Sequence, residues 1–152
     1  MSKKILIVGG ILIVAALIFA GYRLLFPIDI FVMQDVSMEP TISNGSNVTL
    51  NKFDKEFKRQ DLIVFTLPGK NLKSVKRIIG IPNDVIEIKN GNVSVNGGIL
   101  SENYVQGETK KEFNVKLGND EYYVIGDNRG QSFDSRGYGP IKLSDIIGKV
   151  KK

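Results

Sequence analysis

Two residues of the chain, a serine and a lysine, have side chains whose types could do chemistry. Ser37 lies in a short segment, residues 34–41, that follows an apolar run and contains Pro40. Lys76 lies in a mainly apolar run over residues 74–82. A serine hydroxyl becomes a nucleophile when a base takes its proton, and a lysine can be that base when burial lowers its pKa. Taken singly, each has a plainer interpretation, because a serine in a turn is usually structural and a lysine usually lies in solvent.

The strand predicted around Lys76 would separate two neighbouring cations. Alternate residues of a β-strand share a face, so Lys76 lies on the side of Ser74 and Ile78, and Arg77 points to the other side. One of the two cations is therefore expected to point inward among apolar groups. The alternative is an edge strand with both cations in solvent, which the local sequence by itself favours.

A third polar segment, residues 126–139, combines acids, arginines and small turn-forming residues. Its charged residues are Asp127, Arg129, Asp134 and Arg136. Aspartate and arginine side chains can hydrogen-bond one another and the backbone, so the segment is expected to form a rigid polar loop. A solvated surface loop would have a similar composition.

The composition excludes several classes of site. The 152 residues include no cysteine and no histidine, so there is no disulfide, no Ser–His or Cys–His pair and no cysteine-based metal centre. No P-loop, Ser-x-x-Lys motif or metal-ligand cluster is present. The base of a hydrolase would have to be Lys, Asp, Glu or water on an oxygen-bound metal. We expect no metal and no cofactor.

The net charge of +5 is concentrated at the N-terminus. Three of the 21 basic residues precede residue 27, which leaves 18 basic and 16 acidic residues in the rest of the chain. So small an excess does not predict a nucleic-acid-binding face, which needs clustered basic residues.

The first residues predict a membrane anchor. Residues 5–20 carry no charge, and the apolar character continues to Phe26, a stretch of 22 residues interrupted only by Arg23. About 20 apolar residues in a helix cross a bilayer. A cleaved signal peptide fits less well, because its apolar stretch is shorter and ends in small residues. A buried core helix would be unusual at a terminus with no polar face.

The charges beside this segment predict its orientation. Lys3 and Lys4 precede it, which favours a cytoplasmic N-terminus. The chain then divides into a cytoplasmic stub with a transmembrane anchor, residues 1–26, and an extracytoplasmic domain, residues 27–152. Ser37 lies only 11 positions after Phe26, where the anchor ends. These positions span at most about 36–40 Å when extended, so Ser37 is expected near the membrane face.

After residue 27 the sequence predicts an antiparallel, mainly β domain. Runs rich in Val, Ile, Phe and Tyr are bounded by Gly, Pro, Asn or Asp, as strands usually are. Asn90-Gly91 predicts a tight hairpin, because both residues tolerate positive φ. Ser144 before Asp-Ile-Ile predicts the cap of a short terminal helix. The predicted strands cover residues 28–33, 47–51, 61–66, 74–81, 84–89, 92–96, 112–117 and 121–125.

These polar segments, in this order behind an N-terminal anchor, resemble the bacterial type I signal peptidases over essentially the whole chain. The family's nucleophile motif looks like Ser37-Met38-Glu39-Pro40-Thr41, and its intervening strand looks like Asp61-Leu62-Ile63-Val64-Phe65. Its lysine motif looks like Val75-Lys76-Arg77-Ile78-Ile79-Gly80-Ile81-Pro82-Asn83-Asp84. Its third motif looks like Gly126-Asp127-Asn128-Arg129, followed by Ser132 and Asp134-Ser135-Arg136. Related signal peptidases of the Ser–His kind are excluded because the chain has no histidine. Self-cleaving repressors of the same clan carry a DNA-binding domain instead of an anchor.

The resemblance implies a catalytic dyad. Ser37 would attack the scissile carbonyl, and a neutral Lys76 would take its proton and return it to the leaving amine. The Ser37 N–H would donate to the oxyanion. Ser132 would hydrogen-bond the lysine and orient it.

The resemblance also implies roles for the neighbouring polar residues, a class of substrate and a location in the cell. Asp134 and Arg136 would form a structural ion pair, with Asp127 and Arg129 as polar neighbours. The substrates would be preproteins whose signal peptides carry small residues before the cut. The enzyme would act at the outer face of the bacterial cytoplasmic membrane as a single-pass protein.

Two positions depart from the family pattern. The family usually has Gly or Ser two residues before the nucleophile, where this chain has Asp35. A carboxylate facing the oxyanion would oppose catalysis, so Asp35 must point away, or the activity is reduced or specialised. Asn83 replaces a usual Gly, which predicts a turn with positive φ. These departures allow a dedicated enzyme for pilus-like substrates, or a catalytically silent anchored module that assists assembly of exported proteins.

Overall fold

Residues 28–151 form two antiparallel sheets. The computed structural model describes the backbone of residues 3–25 and 28–151, and the side chains of residues 7–22 and 29–151. The strands are β1 Ile28–Val32, β2 Asn47–Asn51, β3 Leu62–Thr66, β4 Lys73–Gly80, β5 Val85–Lys89, β6 Asn92–Val95, β7 Gly98–Ile99, β8 Phe113–Lys116, β9 Glu121–Ile125, β10 Ile141–Lys142 and β11 Ile146–Lys151. The helices are α1 Lys3–Leu25 and α2 Ser135–Tyr138, and 3₁₀ turns cover Arg129–Gln131 and Leu143–Asp145. The predicted antiparallel β class is confirmed.

The large sheet has seven strands in the order β1-β2-β11-β3-β4-β9-β10, and the small sheet has four in the order β7-β6-β5-β8. Every strand pairing is antiparallel. Apolar side chains of β3, β4 and β9 pack on both faces of the large sheet, and those of β5 and β6 pack against Tyr123 and Ile125. The strands that carry the candidate site are therefore the most deeply packed part of the domain.

The position of β4 settles how its two cations lie. It pairs with β3 on one side and β9 on the other, so it is an internal strand. Lys76 and Arg77 are 2% and 4% exposed. The edge-strand alternative is wrong, because neighbouring strands and the loops they carry cover both faces at this point. Both cations are buried, on opposite sides of the sheet.

The C-terminal segment differs from the prediction. Ser144 lies in the 3₁₀ turn, and the following residues form β11 instead of a helix. Ile146, Gly148 and Val150 are buried and alternate with more exposed residues, which is the period of a strand. β11 fills the gap between β2 and β3, so tertiary pairing decides its conformation.

Two local predictions about turns are confirmed. Asn90 and Gly91 have φ of 50° and 78° between β5 and β6, as a two-residue hairpin requires. Asn83 has φ of 70°, so it adopts the left-handed conformation expected where a glycine is usual.

The described side chains of α1, residues 7–22, include Ile, Leu, Val and Phe residues that are exposed. Over the residues that the structure describes, no helix reaches the length and apolarity needed to cross a membrane. Phe26 and Pro27, at the predicted end of the anchor, lie outside the described residues. The anchor over residues 5–26 and the domain boundary at residue 27 stay predictions.

Candidate active site

Ser37 and Lys76, which lie 39 residues apart in sequence, are in contact. Ser37 sits in the turn that follows β1, and Lys76 points from β4 toward it. The Lys76 Nζ lies 2.7 Å from the Ser37 Oγ. Ser37 is 3% exposed, so both side chains are shielded from bulk water. This distance permits direct proton transfer between the two side chains.

Ser74 is a further neighbour of the lysine. The Lys76 Nζ donates to the Ser74 Oγ and to the Val75 carbonyl oxygen, each at 3.0 Å. Ser74 lies two residues before Lys76, and the alternation of a strand puts both on one face. That shared face was visible in the sequence, but nothing there assigned Ser74 a role. Its hydroxyl restricts where the amine can lie and directs it toward Ser37.

Burial controls the protonation of Lys76. Loss of hydration is the largest effect, and it lowers the pKa of Lys76 from its ordinary value of 10.5. The negative charges of Asp35 and Asp134 oppose this by raising the same pKa. The net shift is downward, so the neutral amine is available as a base at a lower pH than a free lysine allows.

The backbone around Ser37 is held by the loop that follows β9. The Asn128 N–H donates to the Ser37 carbonyl oxygen at 3.0 Å, and the Asn128 Nδ2 donates to the Val36 carbonyl oxygen at 3.2 Å. Gly126 faces the same segment, where an added Cβ would lie 2.6 Å from the Ser37 carbonyl oxygen and 2.2 Å from the Ser132 Oγ. The turn and the loop therefore approach too closely for any side chain at position 126.

The carboxylate of Asp35 accepts a hydrogen bond from the backbone N–H of Ser37. The Ser37 N–H donates to the Asp35 Oδ1 at 2.8 Å. Of the two alternatives for Asp35, a carboxylate that points away from the nucleophile is wrong, and a reduced or specialised activity stays a prediction. Aspartate commonly accepts a hydrogen bond from the N–H two residues ahead, which stabilises a turn. Here that local preference places a negative charge beside the nucleophile.

Arg77, on the opposite face of β4, forms a buried ion pair with Asp127. The Nε and Nη2 of Arg77 donate to the two carboxylate oxygens of Asp127 at 2.8 and 2.6 Å. The Thr41 hydroxyl donates to the same carboxylate at 2.5 Å. The guanidinium also donates to the Gln60 carbonyl oxygen at 2.9 Å and lies 3.8 Å from the centre of the Tyr104 ring. The pair thus ties the serine turn to β4 and to the loop after β9.

A second ion pair lies within the loop, and it is the one that the resemblance implies. Arg136 donates to both oxygens of Asp134, at 2.8 and 2.7 Å. Asp134 also accepts from the Gly126 N–H at 3.0 Å and from the Ser132 hydroxyl at 2.6 Å. A hydrogen bond between Ser132 and Lys76 is not among the contacts of the described residues; the Ser132 hydroxyl donates to this carboxylate. In this structure Ser74 takes the place that the resemblance implied for Ser132.

Asp127 and Arg129 bind different partners. Asp127 pairs with Arg77, and Arg129 pairs with Glu102 and donates to the Thr109 hydroxyl at 2.7 Å. The sequence did not single out Glu102, because its partner lies 27 residues away along the chain. Among the described residues, no acidic side chains gather in a group that could hold a metal ion.

The geometry provides a nucleophile, a desolvated amine beside it and a fixed backbone, which together suit acyl transfer. Comparison with known proteins agrees with that chemistry. Residues 6–152 match the family model described as signal peptidase, peptidase S26. The chain is 38% identical to signal peptidase I P of Bacillus subtilis subsp. natto, over 93% of this chain and 83% of that protein.

Other relatives are similar. A probable signal peptidase I-2 of Synechocystis is 32% identical over 93% of this chain and 69% of its own length. The crystal structure of a signal peptidase I from Enterococcus faecalis V583 superposes with a TM-score of 0.58 at 28% identity, over 63% of this chain and 97% of that one. A match of this extent confirms the resemblance, and the chain belongs to the peptidase S26 family of serine peptidases as a bacterial type I signal peptidase.

Proposed function

We propose that the protein is a membrane-bound endopeptidase that removes signal peptides from exported preproteins by means of a Ser37–Lys76 dyad. The observation that carries the proposal is the 2.7 Å approach of the Lys76 Nζ to the Ser37 Oγ inside a buried site. A lysine becomes an effective base only when its neutral form is accessible, and burial lowers its pKa in that direction.

Acylation follows from this geometry. The Ser37 Oγ attacks the carbonyl carbon of the scissile bond while its proton passes to the neutral Nζ of Lys76. The resulting tetrahedral intermediate collapses, the C–N bond breaks, and the Lys76 ammonium gives the proton to the leaving amine. In deacylation the neutral Lys76 takes a proton from water, whose oxygen attacks the acyl carbon. The ammonium then protonates the departing Ser37 Oγ, so the dyad returns to its starting state.

The surrounding residues have supporting roles in this proposal. The Ser37 N–H donates to the oxyanion as negative charge develops on it. Ser74 orients the amine, and Ser132 acts one step further out by binding the carboxylate of Asp134. The proposed chemistry uses no metal and no cofactor.

We also propose that residues 1–26 anchor the enzyme in the bacterial cytoplasmic membrane, with residues 27–152 outside. Support comes from the sequence, which carries no charge between residues 5 and 20. Lys3 and Lys4 before the helix favour a cytoplasmic N-terminus. The proposed partners are then the lipid bilayer and the signal peptides of preproteins that have small residues before the cut. Pilin-like proteins are the narrower substrate class. We propose no nucleic-acid partner.

One observation favours a second candidate function. The carboxylate of Asp35 binds the N–H that the oxyanion needs, as a catalytically weak or silent module would tolerate. Such a protein would bind exported proteins and assist their assembly without cutting them. It would have no need for a buried lysine in contact with a serine.

A cleavage assay separates the two functions. Purified full-length protein in detergent is incubated with a preprotein that has Ala-x-Ala before its cleavage site, and the products are analysed by mass spectrometry. We expect one cut directly after the final alanine of that motif, insensitive to a metal chelator. Binding of the preprotein without any product would support the assembly module.

A further inference from the structure

We propose that Asp35 is a specificity-determining residue that blocks the oxyanion donor in the free enzyme, so that a substrate is cut only if its binding displaces the carboxylate. The inference rests on the proposed function, in which the Ser37 N–H receives the oxyanion. In the structure that N–H is already committed to the Asp35 Oδ1 at 2.8 Å.

The peptide group that carries this N–H cannot easily turn away. Its carbonyl end is the Val36 oxygen, which accepts from the Asn128 Nδ2 and from the Glu39 N–H, each at 3.2 Å. The next carbonyl, that of Ser37, is bound by the Asn128 N–H at 3.0 Å. With its oxygen held on one side, the peptide keeps its N–H directed to the other side, where Asp35 lies.

The side chain of Asp35 is the part that can move. It is exposed, and rotation about its two side-chain bonds would carry the carboxylate into water. A long substrate that binds along the site gains enough from its other contacts to drive this rotation. A short peptide gains less, so the block reduces its cleavage more strongly.

The charge of Asp35 opposes catalysis in a second way. It raises the pKa of Lys76 against the lowering effect of burial, as does Asp134 from the loop after β9. The other charges near this strand, Arg77 and Asp127, are paired with each other on the opposite face. While the carboxylate stays in place, a larger fraction of Lys76 is protonated and unable to act as a base.

The test compares Asp35→Ser with the control Glu56→Gln, which removes the same charge at an exposed position outside the serine turn and leaves the Ser37 N–H contact untouched. Each full-length variant is assayed in detergent on a preprotein and on a short peptide spanning the same cleavage site. For Asp35→Ser we expect kcat/KM to rise about tenfold on the short peptide and less on the preprotein. The ascending limb of its pH–rate profile should move to lower pH, whereas Glu56→Gln should match the unmodified enzyme.

A second readout is independent of activity. The amide proton of Ser37 in ¹⁵N-labelled protein should shift upfield in Asp35→Ser and stay in place in Glu56→Gln. If Asp35→Ser keeps its melting temperature and shows no gain on the short peptide, the proposal is wrong. An unchanged Ser37 amide resonance also overturns it, even if no form of the protein cleaves. Absence of cleavage by every form, with the resonance shifted, would instead count against the proposed function.

Discussion

Replacing Lys76 with alanine should reduce kcat/KM for a preprotein by about 10³-fold or more, because the Ser37 hydroxyl then has no base to take its proton. Ser37→Ala should cause an equally severe loss, because it removes the atom that forms the acyl intermediate. The two changes remove one unit, so the double variant should be no worse than either single variant. Initial rates of preprotein cleavage by the full-length protein measure the effect.

Lys73→Ala is the matched control for Lys76→Ala. Lys73 lies on the same strand, three residues earlier, but it is exposed. Its removal changes the net charge equally and should leave kcat/KM within about twofold, as expected of surface substitutions. All variants should melt within a few degrees of the unmodified protein. Near-normal activity in a folded Lys76→Ala protein would rule out the lysine as the base.

Breaking the Arg77–Asp127 pair should cost the most stability. In Asp127→Asn the guanidinium of Arg77 stays buried without a counter-charge, and such a loss typically costs about 3–5 kcal/mol. Asp127 is 1% exposed, so water cannot readily replace the lost carboxylate. The Thr41 hydroxyl would lose its anionic acceptor at the same time, which loosens the serine turn. We therefore expect a fall in both the free energy of unfolding and kcat.

Urea unfolding of the full-length protein, followed by circular dichroism, provides the measurement. The control is Asp54→Asn, which breaks the 3.4 Å ion pair between Asp54 and Lys149. The Lys149 side chain is 23% exposed and that of Asp54 is 35% exposed. It should cost no more than about 1 kcal/mol. Arg77→Gln combined with Asp127→Asn should be less destabilising than the sum of the single changes. If Asp127→Asn costs as little as Asp54→Asn, the pair does not hold the site together.

The chemistry-bearing residues of the site could be predicted from sequence better than their contacts. Ser37 and Lys76 stand in motifs whose residue types are informative, and the turn residues Asn83 and Asn90 follow from local φ preferences. The strands were recognisable because short runs rich in apolar residues are bounded by turn-forming residues along the chain.

The remaining features depend on which distant segments meet. Arg77 and Asp127 are 50 residues apart, so their pairing follows from the neighbouring positions of β4 and β9. The strand at Ile146–Lys151 forms because a place between β2 and β3 is open to it. Lys76 donates to Ser74 on its own strand, whereas Ser132 donates to Asp134 within its own loop.

Asp35 shows a different limit of prediction from sequence, which concerns the direction of a single side chain. Its identity indicated either a carboxylate that points away from the nucleophile or an activity that is reduced or specialised, and did not decide between them. The turn geometry brings its carboxylate within 2.8 Å of the Ser37 N–H, a local hydrogen bond that competes with function.

The central claim is that Lys76 is a buried lysine acting in its neutral form. The pH dependence of kcat/KM for preprotein cleavage by the unmodified enzyme tests it most directly. Only the deprotonated amine accepts the Ser37 proton, so the rate should rise with pH through the pKa of Lys76, which burial lowers. We predict an ascending limb below the ordinary lysine value of 10.5. An ascending limb at or above that value would contradict the account.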